Sequence, residues 1–262
     1  MSNGIHPTAI VHPQAELAEN VEIGPYSIVE GGAKIGPGCV LAPHVFISGC
    51  VSMGANNTIG HGAVIGTFPQ DLAFSPKTSS GVCIGERNVI REYCTIHRGT
   101  AEGTQTIVGS DNYLMCGVHL AHNVTLADRV IIANNCLLAG YVQVHERAFL
   151  GGGSVFHQHI RIGKLAMVKG GCGISQEIPP FVIASDERGV VGLNTVGLKR
   201  GGYTPEERRE IKQAYLLFYK SGLNASQALQ QAKQQSWGIP GQCFFDFIRR
   251  VGKLGILKRQ SG

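Results

Sequence analysis

Several features that define other protein classes are scarce or absent in this 262-residue sequence. No apolar run approaches the roughly 20 residues that a membrane-spanning helix needs. Met1 to Val11 hold neither the basic cluster nor the apolar stretch of a signal peptide. The eight cysteines never form a C-x-x-C pair, which disfavours a disulfide framework or a cysteine-zinc site. We therefore expect a cytoplasmic protein with no integral membrane segment and with cysteines serving as small core residues.

Glycine, by contrast, is abundant. It contributes 36 of 262 residues, about 14%, against a usual share of roughly 7%. No Gly-X-Y period accompanies it, which excludes collagen, and an apolar content of 43% is too high for a disordered chain. A regular structure must therefore use glycine at fixed places.

An apolar residue recurs every six positions along most of the chain. The first run extends from Ile5 to Ile65, a short one from Ile84 to Ile96, and a third from Val108 to Ile174. Period six matches neither a helix nor a simple alternating strand. It predicts a short strand followed by a tight turn, with the glycines after the apolar residues relieving backbone strain. Three such units per coil give an all-β fold, a hexapeptide-repeat parallel β-helix of about ten coils.

The repeat is interrupted twice. Residues 66–83 lose the pattern, which returns shifted by one position, and residues 97–107 lose the apolar mark while the spacing is kept. We expect two loops here, because loops on a rigid solenoid commonly carry function.

Beyond Gly202 the pattern becomes helical. Thr204 to Glu207 form a capping box with proline at the first helical position. A second helix is expected to start at Asn224, and a third to lie within 241–251. We therefore predict two domains, a β-helix over 1–200 and an α-helical C-terminal domain over 201–262.

Charge divides along nearly the same line. Residues 1–198 hold 11 basic and 14 acidic residues, a net charge of −3, while residues 199–262 hold 12 and 4, a net charge of +8. A basic tail favours an acidic partner, such as a carrier protein or a phosphorylated nucleotide. Nucleic acid is not expected, because the tail contains no known nucleic-acid motif.

Among ten histidines, His122 stands out because it occupies the third place of the hexad that starts at Leu120. That place should point out of the prism. One full coil, or three hexads, leads from His122 to Gly140, so the two should stack on neighbouring coils. An outward histidine beside an approachable glycine N–H offers a general base and an oxyanion donor, as acyl transfer to a hydroxyl requires.

The pattern leaves further uses of these histidines open. His119, His122, His157 and His159 could bind zinc across a chain interface. No serine or cysteine lies in a recognisable nucleophile motif, which disfavours a covalent acyl-enzyme.

Seven segments carry a resemblance to a known family: Cys94 to Thr100, Gly109 to Asn112, His119 to Asn123, Ala133 to Asn135, Leu138 to Gly140, Val155 to Gln158 and Gly197 to Arg200. Together they resemble the UDP-N-acetylglucosamine O-acyltransferases of lipid A biosynthesis. The resemblance covers essentially the whole chain, including the helical tail. A related N-acyltransferase family carries an extra amino-terminal domain, whereas the hexads here begin at Ile5.

The resemblance implies a left-handed β-helix that assembles as a homotrimer, with sites between neighbouring prisms. It implies transfer of a 3-hydroxyacyl chain from acyl carrier protein to the 3-hydroxyl of UDP-N-acetylglucosamine. No metal and no other cofactor is implied, since the donor is carried on the phosphopantetheine of the carrier. By this resemblance His122 is the general base and Gly140 holds the oxyanion. The remaining implied positions are Asp71, His119, His157 and Gln158 for substrate, Asn194 and Arg200 for the nucleotide, and Gly170 for acyl length.

The sequence departs from the family pattern at five positions. The residue after the expected base is Asn123 rather than aspartate, so an amide or backbone oxygen must orient the imidazole. The remaining departures are Ala73, Tyr141, Val196 and Gly201. These changes keep a 3-amino-sugar acceptor open. A zinc-dependent, carbonic-anhydrase-like hydratase and a non-catalytic binding solenoid are two further functions that the same fold could serve.

Overall fold

The computed structural model describes residues 4–259. Most of its strands are two residues long, as a six-residue repeat requires. In chain order they are β1 Gly4–Ile5, β2 Ile10–Val11, β3 Glu16–Leu17, β4 Glu22–Ile23, β5 Ile28–Val29, β6 Lys34–Ile35, β7 Val40–Leu41, β8 Phe46–Ile47, β9 Val51–Met53, β10 Thr58–Ile59, β11 Val64–Thr67, β12 Gly81–Ile84, β13 Val89–Ile90, β14 Thr95–His97, β15 Gln105–Val108, β16 Tyr113–Leu114, β17 His119–Leu120, β18 Thr125–Leu126, β19 Ile131–Ile132, β20 Leu137–Leu138, β21 Gln143–Val144, β22 Phe149–Leu150, β23 Val155–Phe156, β24 Arg161–Ile162, β25 Met167–Val168, β26 Gly173–Ile174, β27 Val182–Ser185 and β28 Gly189–Leu193. The helices are α1 Thr195–Arg200, α2 Pro205–Tyr219, α3 Ala225–Ala232 and α4 Ile239–Arg249.

Three sheets form the sides of the prism. From β1 to β26 each strand pairs in parallel with the strand three further along, so that Ile5 lies beside Ile23 on the next coil. Counted over the described residues up to β26, the sheets hold nine, nine and eight strands. The sequence predicted about ten coils, slightly more than these strands provide.

The apolar residue at the first place of each hexad fills the interior, as Ile47 and Leu120 do with no exposed surface. The fourth place takes the left-handed conformation, with φ near 59° at Tyr26, His44 and Asn123. Asparagine and glycine tolerate this conformation best, and turns here use both.

Glycine at the second place has a different role from the predicted relief of strain. Gly24 and Gly60 lie outside the left-handed region. A Cβ on Gly24 would lie 2.7 Å from the backbone nitrogen of Pro43, and one on Gly60 would lie 2.6 Å from the backbone carbon of Arg91. Close approach between coils therefore requires these glycines, and the expectation from the sequence was wrong on the cause.

The third place of the hexad does not need its backbone N–H. Ala42 donates to the Ile59 carbonyl at 2.8 Å and His44 donates to the Pro25 carbonyl at 3.0 Å, while Pro43 between them has no N–H to give. The fold therefore tolerates proline at this place. Where another residue stands there, its N–H is outside the regular ladder and can bind a side chain, as the N–H of Gly49 does with Glu30 Oε2 at 3.1 Å.

The two interruptions add chain without disturbing the coils. A regular coil advances by three hexads, but the step from Ile59 to its partner Ile90 is longer and is not a whole number of hexads. Ile96 pairs with Leu120, which lies four hexads on. The first loop therefore shifts the repeat, whereas the second adds one complete hexad and keeps it. The strands β11 and β12 extend into the span 66–83 that was expected to be loop, so the first loop is shorter than predicted.

A buried ladder of asparagines links the coils at these interruptions. Asn57 Oδ1 accepts from the backbone N–H of Asn88 at 2.9 Å, and Asn88 Oδ1 accepts from the backbone N–H of Asn112 at 2.9 Å. Asn112 Oδ1 in turn accepts from the N–H of Val130 at 2.7 Å. All three side chains are almost fully buried.

The C-terminal part begins with an antiparallel hairpin, β27 and β28, and with α1, none of which the sequence predicted. The three predicted helices are present as α2, α3 and α4. Thr204 and Asn224 cap α2 and α3 through capping boxes. A buried ion pair between Arg161 and Glu177 joins this part to the prism, since Arg161 also lies over the Phe247 ring at 4.3 Å.

The predicted division of the chain at residue 200 stays a prediction, and residues 1–3 and 260–262 of those two spans lie outside the described residues. Among residues 4–259, no helix combines the length and the apolar character needed to cross a bilayer.

Candidate active site

One corner of the prism, at the carboxyl ends of β17, β20 and β23, gathers most of the candidate side chains. These strands are neighbours in the second sheet. His119 lies within β17, and the third places of the three following turns are His122, Gly140 and Gln158. His157 precedes Gln158 at the second place. The repeat therefore brings five of the predicted residues onto three consecutive coils.

The His122 ring lies directly over Gly140. A Cβ on Gly140 would lie 2.6 Å from His122 Nε2, so only glycine fits below the imidazole. The two coils are tied together by the N–H of Tyr141, which donates to the His122 carbonyl at 3.1 Å. Within residues 4–259 nothing accepts a hydrogen bond from the Gly140 N–H. His122 itself is half-buried.

The second ring nitrogen of His122 faces the following residue. Nδ1 lies 3.0 Å from Asn123 Oδ1. The amide oxygen that the sequence required for orienting the imidazole is therefore that of Asn123. The Tyr141 ring packs edge-on against His122, with ring centroids 5.3 Å apart.

Two more histidines lie near His122: His119 in the strand that precedes it on the same coil, and His97 on the coil before. His119 Nδ1 lies 2.7 Å from Thr95 Oγ1, and its ring meets His97 edge-on at 4.9 Å. His97 is 6% exposed, and burial lowers its pKa to about 4. Burial also lowers the pKa of His119. Both rings are therefore neutral at pH 7, so the site receives no fixed positive charge from them.

His157 and Gln158 extend the corner toward the C-terminal coils, and both are exposed. His157 Nδ1 donates to the backbone carbonyl of Gln158 at 3.1 Å, which leaves Nε2 as a free acceptor. The N–H of His159 donates to the Gly140 carbonyl at 3.1 Å and fixes this coil against the one below.

Asp71 lies in the first loop, over 68–80, and is exposed. Its Oδ1 accepts from the N–H of Ala73 at 2.9 Å, which closes a tight turn. The loop is held by Arg98, whose guanidinium lies 4.7 Å from the Phe68 ring centre and 5.3 Å from that of Phe74. Arg98 occupies the third place one coil before His122, so the anchor of this loop lies in the same column as the histidine.

Asn194 and Arg200 lie elsewhere, at the two ends of α1. Asn194 caps the helix by accepting from the N–H of Gly197 at 2.9 Å, and it donates to the Leu165 carbonyl at 3.0 Å. Both line an apolar groove of about 700 Å³ with an arginine rim. Its floor comes from the first sheet, through Ile131, Phe149, Met167 and Ile183.

Gly170 follows β25 at a different corner, between the first and second sheets, and is exposed. One chain therefore does not bring the predicted residues together in a single place. Five lie at the His122 corner, two at the α1 groove, and Asp71 and Gly170 apart from both. Val196 and Gly201, two of the departures from the family pattern, also line the α1 groove.

Sequence reasoning missed two contributors, Thr100 and Arg98. Both come from the segment after β14, where the apolar mark disappears. The additional hexad between Ile96 and Leu120 is the signal that could have found them, because it bulges out beside His122. Within residues 4–259 no group of three or more histidine, cysteine, aspartate or glutamate side chains could hold a metal ion in one chain.

A half-buried histidine over an unpaired glycine amide, on a solenoid of six-residue repeats, offers the two groups that acyl transfer to a hydroxyl requires. Residues 14–49 and 105–140 match the family described as bacterial transferase hexapeptide, and residues 177–257 match domain 2 of the UDP-N-acetylglucosamine O-acyltransferases. The chain belongs to the UDP-N-acetylglucosamine O-acyltransferase family.

Individual relatives agree with this assignment. An acyl-[acyl-carrier-protein]–UDP-N-acetylglucosamine O-acyltransferase of Thermodesulfovibrio yellowstonii is 43% identical over 258 residues, 98% of this chain and all of the relative. The UDP-N-acetylglucosamine acyltransferase structure of Francisella novicida matches with a TM-score of 0.94 at 34% identity, covering 98% of this chain and 95% of its own. That of Moraxella catarrhalis matches with a TM-score of 0.92 at 36% identity, covering 97% and 99%.

These matches confirm four predictions from the sequence: the family, the left-handed β-helix with a small helical C-terminal part, the acyltransferase class and the hexapeptide repeat. The zinc hydratase and the non-catalytic solenoid receive no support from them. The matches do not test the roles of individual residues.

Proposed function

We propose that the chain transfers a 3-hydroxyacyl group from acyl carrier protein to the 3-hydroxyl of UDP-N-acetylglucosamine, the first step of lipid A biosynthesis. The observation that carries this proposal is the His122 ring lying over the unpaired N–H of Gly140. Relatives named for this reaction, at 43% identity over nearly the whole chain, support the choice of substrates.

The transfer is direct. His122 Nε2 takes the proton of the acceptor hydroxyl as the oxygen attacks the thioester carbon, and a C–O bond forms. The Gly140 N–H stabilises the resulting oxyanion. When the intermediate collapses, the C–S bond breaks, and the pantetheine sulfur leaves and takes the proton from His122. A positioned general base contributes about 10² to 10⁴ in rate.

The remaining residues bind the substrates. We assign Asp71, His119, His157 and Gln158 to the acceptor sugar and the carrier arm. His119 and His157 suit this role because both place hydrogen-bonding ring nitrogens at the His122 corner. The exposed surface at Gly170 is open to a long acyl chain.

The nucleotide would be bound by Asn194 and Arg200, which lie against a different side of the same prism. A complete site would then need the His122 corner of one copy and the α1 groove of another. We therefore propose a homotrimer with three equivalent sites between neighbouring chains.

Subunit mixing tests this arrangement. His122→Ala and Arg200→Ala should each be nearly inactive as pure trimers. Unfolding and refolding them together should restore about a quarter of the wild-type activity, because a quarter of the interfaces then combine two intact halves. If native mass spectrometry shows that the trimers have mixed and no activity is recovered, the site is not shared between chains.

The acyl donor would arrive on the phosphopantetheine of acyl carrier protein, and we propose no metal and no other cofactor. Both substrates are cytoplasmic, and so the protein would be. The net charge of +8 on residues 199–262 would guide the acidic carrier. Raising the ionic strength from about 0.05 to about 0.5 M should then increase the KM for the carrier, since screening weakens long-range attraction. A KM independent of salt would argue against guidance.

The acceptor is tested by offering purified protein both UDP-N-acetylglucosamine and its 3-amino analogue, with carriers bearing several chain lengths. Ester formation is the expected outcome. Exclusive amide formation would overturn the hydroxyl acceptor, an outcome kept open by Ala73, Tyr141, Val196 and Gly201. No transfer to either acceptor would overturn the proposed function.

A further inference from the structure

His122 stands at one end of a short chain of hydrogen bonds. Its Nδ1 lies 3.0 Å from Asn123 Oδ1. That oxygen also receives the backbone N–H of Thr100 at 3.1 Å and the Thr100 hydroxyl at 3.0 Å. The Thr100 hydroxyl lies 3.1 Å from the hydroxyl of Tyr141, which packs on the next coil.

The direction of every bond in this chain follows from one group that can only donate. A backbone N–H has no acceptor capacity, so the atom of Asn123 that faces Thr100 must be the amide oxygen. A histidine nitrogen that faces the same oxygen must then carry a proton. The neutral His122 ring is therefore protonated on Nδ1 and bare on Nε2, the nitrogen that lies over Gly140.

The directions of the remaining hydrogen bonds follow in the same way. The single proton of the Thr100 hydroxyl points at Asn123, so toward Tyr141 this hydroxyl can only accept. Tyr141 therefore donates its own proton to Thr100. Its ring is stacked on His159 at a centroid distance of 4.7 Å, which holds the phenol in place.

We propose that Asn123 and Thr100 are positioning residues that fix the tautomer of the catalytic histidine through a neutral amide rather than through a carboxylate. The inference rests on the proposed function, because it assigns His122 as the base. It also assigns a role to the second loop, whose additional hexad brings Thr100 beside His122.

The surroundings of His122 explain why it matters that its hydrogen-bond acceptor, Asn123 Oδ1, is uncharged. The titratable groups that face it are His97 from the preceding coil, which it affects electrostatically, and Tyr141 from the next coil. In the part of the chain that the structure describes, no carboxylate lies within ion-pair distance of the ring. An amide orients the ring without stabilising its protonated form, which a carboxylate would do.

Asn123→Asp tests the neutral acceptor. The carboxylate should stabilise the protonated imidazole and move the acid limb of the kcat/KM profile upward by about one pH unit. A base must be unprotonated to act, so the variant should lose activity first on the acidic side and recover it at high pH. A uniform loss at all pH values, with the limb unmoved, would overturn the proposal.

Removing the Asn123 side chain tests whether the hydrogen bond to Nδ1 fixes the His122 tautomer. Asn123→Gly retains the left-handed φ of 59° but deletes the acceptor, and kcat should fall by about tenfold or more with KM little changed. Asn20→Gly is the matched control, because Asn20 has φ 58° at the same place of a remote hexad. Equal kcat in these two variants would overturn the proposal.

Thr100→Val should give a smaller loss of kcat, since the backbone N–H still orients the amide, and Thr100→Ser should restore the wild-type rate. Failure of serine to restore it would contradict a role for the hydroxyl. The proposed function fails separately, if His122→Ala keeps full activity or the wild type transfers no acyl group. If His122→Ala loses activity but the Asn123 and Thr100 variants keep the wild-type kcat, only the positioning role is overturned.

Discussion

Two histidine–glycine pairs occupy the same corner of the prism at different heights. In the site coils, the His122 ring lies over Gly140. In the first coils, the His12 ring lies over Gly31, where a Cβ would come within 2.5 Å of His12 Nδ1. Both histidines follow strands of the second sheet, and both glycines occupy the third place of the next coil.

The hydrogen bonds of the two rings differ. His12 is exposed, and its Nδ1 accepts the N–H of Gln14 at 3.1 Å, which leaves the proton on Nε2. His122 is half-buried and carries its proton on Nδ1. Proximity of an imidazole to a glycine is therefore a common product of the repeat. The acceptor on Nδ1 and the burial distinguish His122, the proposed base, from a surface histidine.

The largest expected difference between the two pairs is in catalysis. His122→Ala should lose about 10² to 10⁴ of turnover, the range of a positioned general base. His12→Ala should have wild-type turnover because its ring takes no part. Steady-state acyl transfer measures both, and light scattering should show equal assembly. If His122→Ala and His12→Ala had similar turnover, the two histidine–glycine pairs would not differ in catalysis.

The second largest expected difference between the two pairs comes from steric displacement of the histidine rings. Gly140→Ala places a methyl group 2.6 Å from His122 Nε2, and a ring shifted by about 1 Å should cost about a hundredfold in kcat. Gly31→Ala displaces the exposed His12 ring in the same manner and should leave kcat unchanged. If both variants were fully active, the site would tolerate a misplaced ring, contrary to the proposed geometry.

Stability should depend on pH through the buried His97 and not through His12. The pKa of His97 is about 4 when folded against an ordinary 6.5, so the unfolded chain binds more protons between these values. The free energy of unfolding should therefore fall by about 3 kcal/mol as the pH drops from 6.5 to 4, and level off below that.

Denaturant titrations of wild type and His97→Gln measure this dependence at fixed protein concentration. The variant should lose most of the fall, whereas His12→Gln should keep it. An unchanged pH dependence in His97→Gln would show that another group is responsible.

The smallest effect is expected at Pro13, directly after His12. Since the third place needs no N–H, Pro13→Ala should cost only about 0.5 kcal/mol, through the greater freedom of the unfolded chain. Denaturant unfolding of the two proteins measures it. A loss several times larger would mean that the proline ring itself supports the coil.

The spacing of apolar residues predicted the interior and the stacking of coils because each coil repeats the same contacts. It also predicted that Gly140 would follow His122 on the next coil. It could not predict Thr100, which donates to the Asn123 oxygen that faces His122 Nδ1, since Thr100 comes from a segment outside the repeat. The hairpin of β27 and β28 was missed for the same reason: it pairs antiparallel and obeys no six-residue period.

The glycines illustrate a second limit. Their positions were visible in the sequence, but a strained turn and a close approach of two backbones both select glycine. Only the folded chain distinguishes Gly24, pressed against the next coil, from Gly62, which has φ +67°. Likewise, α1 is only six residues long, and its cap at Asn194 follows a hairpin rather than an amphipathic pattern.

The ladder of Asn57, Asn88 and Asn112 has a consequence for the register of the coils during folding. Successive coils have nearly interchangeable interiors, so a growing stack could slip by a whole coil at little cost. Slippage would separate these amide oxygens from the backbone N–H groups that donate to them, and each orphaned buried group costs about 1–3 kcal/mol. The asparagines lie on three successive coils that flank the two inserted segments, and we expect them to disfavour a misaligned stack there.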